Sequence, residues 1–365
     1  MKEREIIIKK LEKLGRDIID ALEEMKNPSI RVPIRNRSNV WYDEQKKMIL
    51  LGDKKLDRYF LNSATARSFM QTLLVAEKIK KLLIENKTIS TRQMFYLNRH
   101  EIPGLKESAV DNQKETDSVI EDLEVVLDAL REKLNLIPTP NGVLAGDIQV
   151  EDTTTGDVLD YSKMGAAGGA IPAKVEPDVF KFKRVKAKYV LVVEKFATWN
   201  LLNEYRFWKE NNCILMTGKG QAARAERRLL SRFATELKLP IYIFTDLDAA
   251  GYYIYSVYKY GSMNLAFFSE KSAVPTAKFI GFMTKDIKEF GIGRNYWERQ
   301  SEWDIKRAKE LKTYPWFQSK EWQKEIDNLI KFKYKIEQDA LVGKGLEFMA
   351  KEYLPKKIKN KDFIE

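Results

Sequence analysis

The sequence nearly lacks two residues on which much enzyme chemistry depends, with one cysteine, Cys213, and one histidine, His100. A single cysteine excludes an internal disulfide framework and any cysteine-based zinc site, and it fits a reducing compartment. A single histidine makes a histidine-clustered metal site impossible, and any general base at His100 would act alone. Chemistry in this chain therefore falls to carboxylates, Tyr, Lys or Arg. No run of about 18 apolar residues occurs, so no segment is expected to span a membrane. The opening Met1-Lys2-Glu3-Arg4-Glu5 has no apolar stretch behind it and does not read as a secretory signal, which points to the cytoplasm.

What remains is ample for folding. The 365 residues suggest two or three domains, and 44% hydrophobic with 32% charged residues describes an ordinary globular protein. Lys and Arg number 64 against 53 Asp and Glu, a net +11 that favours a polyanionic partner, nucleic acid first. A solvated lysine-rich surface is the plainer reading of the same charge.

Ile7, Leu11, Leu14, Ile18, Leu22 and Met25 recur at steps of three and four, which predicts an amphipathic helix over residues 5–25. Its stripe is expected to pack internally or to receive a partner. The extended, basic Arg31-Val32-Pro33-Ile34-Arg35-Asn36-Arg37 that follows reads as an arm, completing a first segment, 1–64. A second helix is expected from Thr65 to Glu85. Ser90 with Gln93 three residues later is a capping-box signature, so Thr91 to Asn98 forms the opening turns of a third helix, which carries Tyr96 and is stopped by Pro103-Gly104. A longer helix is predicted from Thr116 to Leu134. Leu136-Ile137-Pro138, the turn pair Asn141-Gly142 and Val143 to Val150 then read as a β-hairpin. Helices plus a hairpin predict a winged helix, a helix-turn-helix variant, over 65–152.

Gly165, Gly168, Gly169 and Pro172 make residues 161–173 too weakly apolar for a core element, so 153–186 reads as a connector. Beyond it, Tyr189 to Val193, Ile214 to Met216, Ile241 to Phe244 and Met263 to Phe267 alternate with helical patterns. That alternation predicts a parallel sheet in a doubly wound α/β domain over 187–365, closed from about 296 by Trp-bearing helices. The fold expected is thus multidomain, α+β followed by α/β.

In open parallel sheets ligands bind beyond the carboxyl ends of the strands. Glu194 directly follows one predicted strand, and Asp246 and Asp248 follow another, so they converge if those strands are neighbours. Clustered carboxylates without His or Cys are hard oxygen ligands suited to Mg²⁺ and phosphoryl chemistry. Acidic residues also end strands as caps or turns. Tyr96 is the second candidate, with Arg92 four residues earlier on the same helix face, where it can stabilise a phenolate or a phosphorane-like transition state. Core packing is the commoner role of a helical tyrosine.

The residues Glu194-Lys195, Thr217-Gly218-Lys219-Gly220 and Phe244-Thr245-Asp246-Leu247-Asp248 with Gly251 resemble the Toprim domain of topoisomerases and primases. Thr91-Arg92-Gln93-Met94-Phe95-Tyr96, with Asn112-Gln113-Lys114-Glu115-Thr116-Asp117 and Asp122-Leu123-Glu124, resembles the tyrosine-bearing winged helix of the topoisomerase VI A subunits, type IIB enzymes. Tyr252 to Lys259 and Tyr314-Pro315-Trp316-Phe317 are similar to the archaeal A subunits, more than to the related meiotic double-strand-break enzymes. Leu247 and Ala249-Ala250 depart from the commoner neighbours of the motif.

The resemblance implies that Tyr96 attacks a phosphodiester of double-stranded DNA and leaves a 5′-phosphotyrosyl link, with Arg92 in support. Glu194, Asp246 and Asp248 would hold Mg²⁺. A homodimer would cut both strands, the tyrosine of one protomer meeting the carboxylates of the other. ATP would come from a separate B subunit in an A2B2 assembly, since no Gly-x4-Gly-Lys-Ser/Thr loop is present. The helix at 5–25, held off the core by its arm, is the expected docking element. Two rival readings are a Toprim primase or nuclease, which would not need Tyr96, and a non-catalytic winged-helix regulator.

Overall fold

The computed structural model describes residues 2–138 and 141–365. They fall into two compact units, Met1–Trp41 with Leu51–Thr139 and Tyr42–Leu50 with Pro140–Glu365.

The first unit is mostly helical: α1 (Lys2–Glu23), α2 (Ala66–Glu85), α3 (Thr91–Asn98) and α4 (Gln113–Leu127). Ile7 and Leu11 of α1 are buried in one cluster with Val75, Ile79 and Leu123, while Ile18 packs with Ile30 and Val32. The stripe is therefore internal, and the expected arm does not hold α1 off the core. Two forces tie the arm down. Ser29–Pro33 pairs antiparallel with Lys55–Tyr59, and Arg35 is neutralised by Glu121 and by buried Asp122, its Nε 2.7 Å from the latter. Leu22 and Met25, predicted for the stripe, are exposed instead, and Met25 lies beyond the helix end at φ 55°.

The capping box forms as its spacing requires, with Ser90 N donating to Gln93 Oε1 at 2.8 Å and Gln93 N to Ser90 Oγ at 3.1 Å. α3 ends at Asn98, short of Pro103-Gly104. α4 ends earlier than Leu134, at Leu127, where the left-handed backbone of Asp128 lets its N–H cap the carbonyls of Glu124 and Val125. Leu134 is buried from the following turn.

The predicted hairpin does not form. Leu136–Ile137 pairs in parallel with Ile89–Ser90, whereas Val143–Ala145 joins the large sheet of the second unit and Ile148–Asp152 pairs with Phe180–Val185 and Val158–Asp160. Val143, Leu144 and Ala145 are all buried. A strand covered on both faces belongs inside a sheet, not on an exposed wing.

The large sheet, six-stranded among the described residues, runs in the order Gly169–Ala170, Val143–Ala145, Cys213–Thr217, Tyr189–Val193, Ile241–Phe244, Lys278–Phe279. The last four are mutually parallel, and Val143–Ala145 runs antiparallel to both its neighbours, Gly169–Ala170 and Cys213–Thr217. Every residue of Tyr189–Val193 and Cys213–Thr217 is buried, which explains why both read as unbroken apolar runs. The expected strand at Met263 to Phe267 is instead a 3-10 segment, Met263–Phe268, and the fourth parallel strand is Lys278–Phe279.

The stretch read as a connector is folded into this unit. Its small residues permit close approach: a Cβ at Gly168 would collide with the Trp199 ring, and one at Gly169 with Tyr161. Of the C-terminal helices, Glu302–Thr313 packs against Ala249–Tyr260 and against Lys320–Phe332, whose buried Trp322 packs on Tyr252, Tyr255 and Phe279. Trp303 is exposed.

Candidate active site

In the four parallel strands, the first by sequence, Tyr189–Val193, lies between the second and the third. The connections therefore leave it in opposite directions, and the crevice between the first and third strands is the topological switch point where doubly wound sheets bind ligands. Glu194 and Asp246 stand at the carboxyl ends of those two strands. The backbone ties them together: Glu194 N donates to Phe244 O at 3.0 Å, and Asp246 N donates to Glu194 Oε2 at 3.0 Å.

Asp248 stands two residues further on and divides its role. Its Oδ1 accepts from Gly251 N at 2.6 Å, capping the helix Ala249–Tyr260. A Cβ at position 251 would lie 2.6 Å from the carbonyl of Asp246, so glycine allows the helix to start directly against the strand end. Gly218 is needed in the same way, because a Cβ there would meet Ala222 at 2.8 Å. It shapes the Thr217–Gly220 loop, which closes over the strand end through Gly220 N donating to Glu194 O at 2.8 Å.

Burial raises the Glu194 carboxyl to about 8, aided by the charge of Asp246. Burial likewise lifts Asp246 to about 6, opposed by the Gln338 N–H and by Lys195. Asp248 is raised by burial too. Acidic groups with raised pKa values in a crevice mark a site short of positive charge.

A cation from the chain itself already stands there. Lys195 Nζ lies 3.1 Å from Asp246 Oδ2, 2.6 Å from Glu337 Oε2 and 3.8 Å from Asp339 Oδ2. An antiparallel bridge between Leu247 and Ile336 brings this acidic segment to the strand end, and Gln338 N donates to Asp246 Oδ1 at 2.8 Å. Sequence reasoning missed Glu337 and Asp339, since nothing local joins them to a strand end some ninety positions away. An all-oxygen donor set around a bound ammonium fits a hard divalent cation such as Mg²⁺. The fit is not yet a closed cage: among the described residues, Asp286, Glu289 and Asp362 form a trio with oxygens within 4.8 Å of one another, and Glu194, Asp246 and Asp248 do not.

Tyr96 belongs to the other unit. Met94, Phe95 and Asn98 anchor α3 inside, whereas Tyr96 is 54% exposed and makes a ring contact with Phe95 at 5.1 Å. It is not a core residue. Arg92, also exposed, lies one turn earlier on the same face.

Two family profiles match in succession, one described as "Type IIB DNA topoisomerase" over residues 67–136 and one for the Toprim domain of topoisomerase 6 A subunits and Spo11 over 189–358. Similar proteins include the A subunit of type 2 DNA topoisomerase 6 from Pyrococcus horikoshii, 44% identical over 97% of this chain and 94% of that protein. Its counterpart from Hyperthermus butylicus is 42% identical over 96% of this chain and 94% of that protein. That from Methanocaldococcus jannaschii is 34% identical over 98% and 96%. With both profiles in register and kinship along nearly its whole length, the chain belongs to the family of topoisomerase 6 A subunits.

Proposed function

We propose that the chain is the DNA-cleaving and rejoining subunit of a type IIB topoisomerase. The observation that carries this reading is the exposed Tyr96 on a rigidly capped helix, in a chain whose second unit presents Glu194 and Asp246 at the switch point of a Toprim sheet. The Tyr96 hydroxyl oxygen attacks the phosphorus of a DNA phosphodiester and gives up its proton. The bond to the 3′-oxygen breaks, leaving a 3′-hydroxyl and a 5′-phosphotyrosyl ester, and the reverse attack reseals the strand. Exchange of one ester for another conserves bond energy, so cleavage itself needs no ATP. Arg92 stabilises the charge that develops on the phosphoryl oxygens.

Glu194, Asp246 and Asp248 are the residues that would hold Mg²⁺, whose chemistry is to neutralise phosphate oxygens. Lys195 holds Asp246 in place and is itself retained by Glu337 and Asp339. The helices α2 to α4 serve as a helix-turn-helix-type DNA-binding module. A homodimer, with the tyrosine of one protomer serving the carboxylates of its partner, would cut both strands, and a B subunit would supply ATP hydrolysis in an A2B2 assembly. The enzyme would act on cytoplasmic, nucleoid-associated DNA. Among the described residues no helix is long and apolar enough to cross a membrane.

The test of this assignment is complementation between two inactive variants. Tyr96→Phe and Glu194→Gln homodimers should each fail to cleave duplex DNA, while a mixed dimer restores single-strand nicking. No restored cleavage from the mixture, with both variants folded, would contradict the shared site.

A further inference from the structure

A cleft of about 340 Å³ opens on the second unit, lined by Asp147, Arg184, Lys186, Arg206, Trp208 and Lys209, with Asn212 and Cys213 also bordering it. Ala187 and Cys213 place it at the amino ends of the strands Tyr189–Val193 and Cys213–Thr217, whereas Glu194 lies at the carboxyl ends. A five-residue strand separates the two poles by about 17 Å at roughly 3.3 Å per residue.

The cleft gathers four cations and one carboxylate. Asp147 is already paired with Arg184, at 2.8 Å. No carboxylate lies within 4.0 Å of Lys186, Arg206 or Lys209 among the described residues, so three positive charges face the cleft without a counter-charge. Like charges held together in this way repel unless an anion joins them.

The surrounding backbone is built to present them. Arg206 occupies the left-handed region at φ 53°, an uncommon conformation for a long side chain, and its guanidinium lies 6.0 Å from the Trp208 ring centre. Trp208 is buried and fixed by Nε1 donating to Asn203 Oδ1 at 2.9 Å, so the floor is rigid. A register shift between Phe182 and Arg184 makes Lys181 pair opposite Glu151 and Arg184 opposite Gln149. Those two partners share a face of their strand, so the bulge aligns Arg184 with Lys181. Lys181, Lys186 and Lys188 are all exposed and carry positive charge beyond the cleft.

We propose that this cleft is a second phosphate-binding site, which takes the sugar-phosphate backbone of duplex DNA at the pole of the sheet opposite the carboxylates. Three features select a backbone over a free nucleotide. The cations are exposed, the basic row continues past the cleft, and the one aromatic ring is buried as floor, leaving no face for a base to stack upon. The proposal goes beyond the cleavage assignment and does not require Tyr96 to be the nucleophile.

The test compares two variants of equal charge change in the full chain. Lys186→Gln with Lys209→Gln removes two cations from the cleft, and Lys324→Gln with Lys331→Gln removes two exposed cations elsewhere. Binding of a labelled duplex is measured by anisotropy across a salt series, with circular dichroism to confirm folding. The cleft pair should weaken binding about tenfold at 0.1 M salt and reduce the slope of log K against log salt by about two, one for each phosphate no longer neutralised. Lys186→Arg with Lys209→Arg should restore both. An equal effect of the two Gln pairs, or none from the cleft pair, would overturn the proposal. So would a cleft pair that abolishes thermal stabilisation by inorganic phosphate or a mononucleotide yet leaves the duplex slope unchanged, because the source would then be a free phosphate compound.

Discussion

Glu194 costs the folded chain stability when it ionises, and the sign follows from its raised pKa. Below the unfolded value near 4.5 the group is neutral in both states. As pH rises from there through about 8, the unfolded chain releases its proton first, and stability is lost across that interval. Asp246, lifted to about 6, adds a loss over a lower and narrower range. A divalent cation that binds the ionised pair should offset this loss. Thermal melts with and without Mg²⁺ should therefore show larger stabilisation by the metal at pH 8 than at pH 5. An equal increment at both would place the metal elsewhere. Lys195→Met removes the ammonium shared by Asp246, Glu337 and Asp339, and should cost about 1–3 kcal/mol in urea unfolding with EDTA present. Added Mg²⁺ should recover more stability in that variant than in the wild type.

At the scale of elements, the start of the helix Ala249–Tyr260 is the tightest joint of the site. Gly251→Ala introduces a Cβ 2.6 Å from the Asp246 carbonyl, which must push the helix away and carry Asp248 with it. Overpacking of this kind costs about 1–3 kcal/mol, measurable by urea unfolding, and the thermal response to Mg²⁺ should diminish in parallel. α1 sets a second expectation. Deleting residues 1–25 uncovers Val75 and Ile79, so the shortened chain should lose several kcal/mol, on the order of that for burying a few aliphatic side chains. A truncated chain with undiminished stability would return α1 to the role of a free docking helix.

These same elements show what was legible in sequence. The start of α3 was readable to the residue, because Ser90 and Gln93 satisfy each other locally, while its end at Asn98 falls short of the expected stop at Pro103-Gly104; the central strands were readable because burial on both faces leaves an unbroken apolar run. The neighbouring ends of those strands made Glu194 and Asp246 candidates on position alone. The false hairpin arose because Val143–Ala145 has a strand's composition but takes its partner, Cys213–Thr217, from seventy positions away. Glu337 and Asp339 were invisible for the same reason. The arm misled because its basic, extended run contains no carboxylate of its own, while the carboxylates that neutralise Arg35 come from α4.

At the scale of the whole molecule, two properties govern how the chain would act on DNA: its net +11 charge, and the separation of Tyr96 from the carboxylates into two units. The charge predicts duplex binding that weakens steeply with salt, and a flat response would contradict a phosphate-backbone footprint. The central claim, that Tyr96 is the nucleophile, is tested most directly by trapping its ester. The chain is incubated with the proposed B subunit, Mg²⁺ and supercoiled plasmid, denatured rapidly, and examined for protein attached to DNA ends. Attachment at 5′ ends is expected with the wild type and none with Tyr96→Phe, whose duplex affinity should be nearly unchanged because only the phenolic oxygen is lost. Attachment that persists in Tyr96→Phe would contradict the claim.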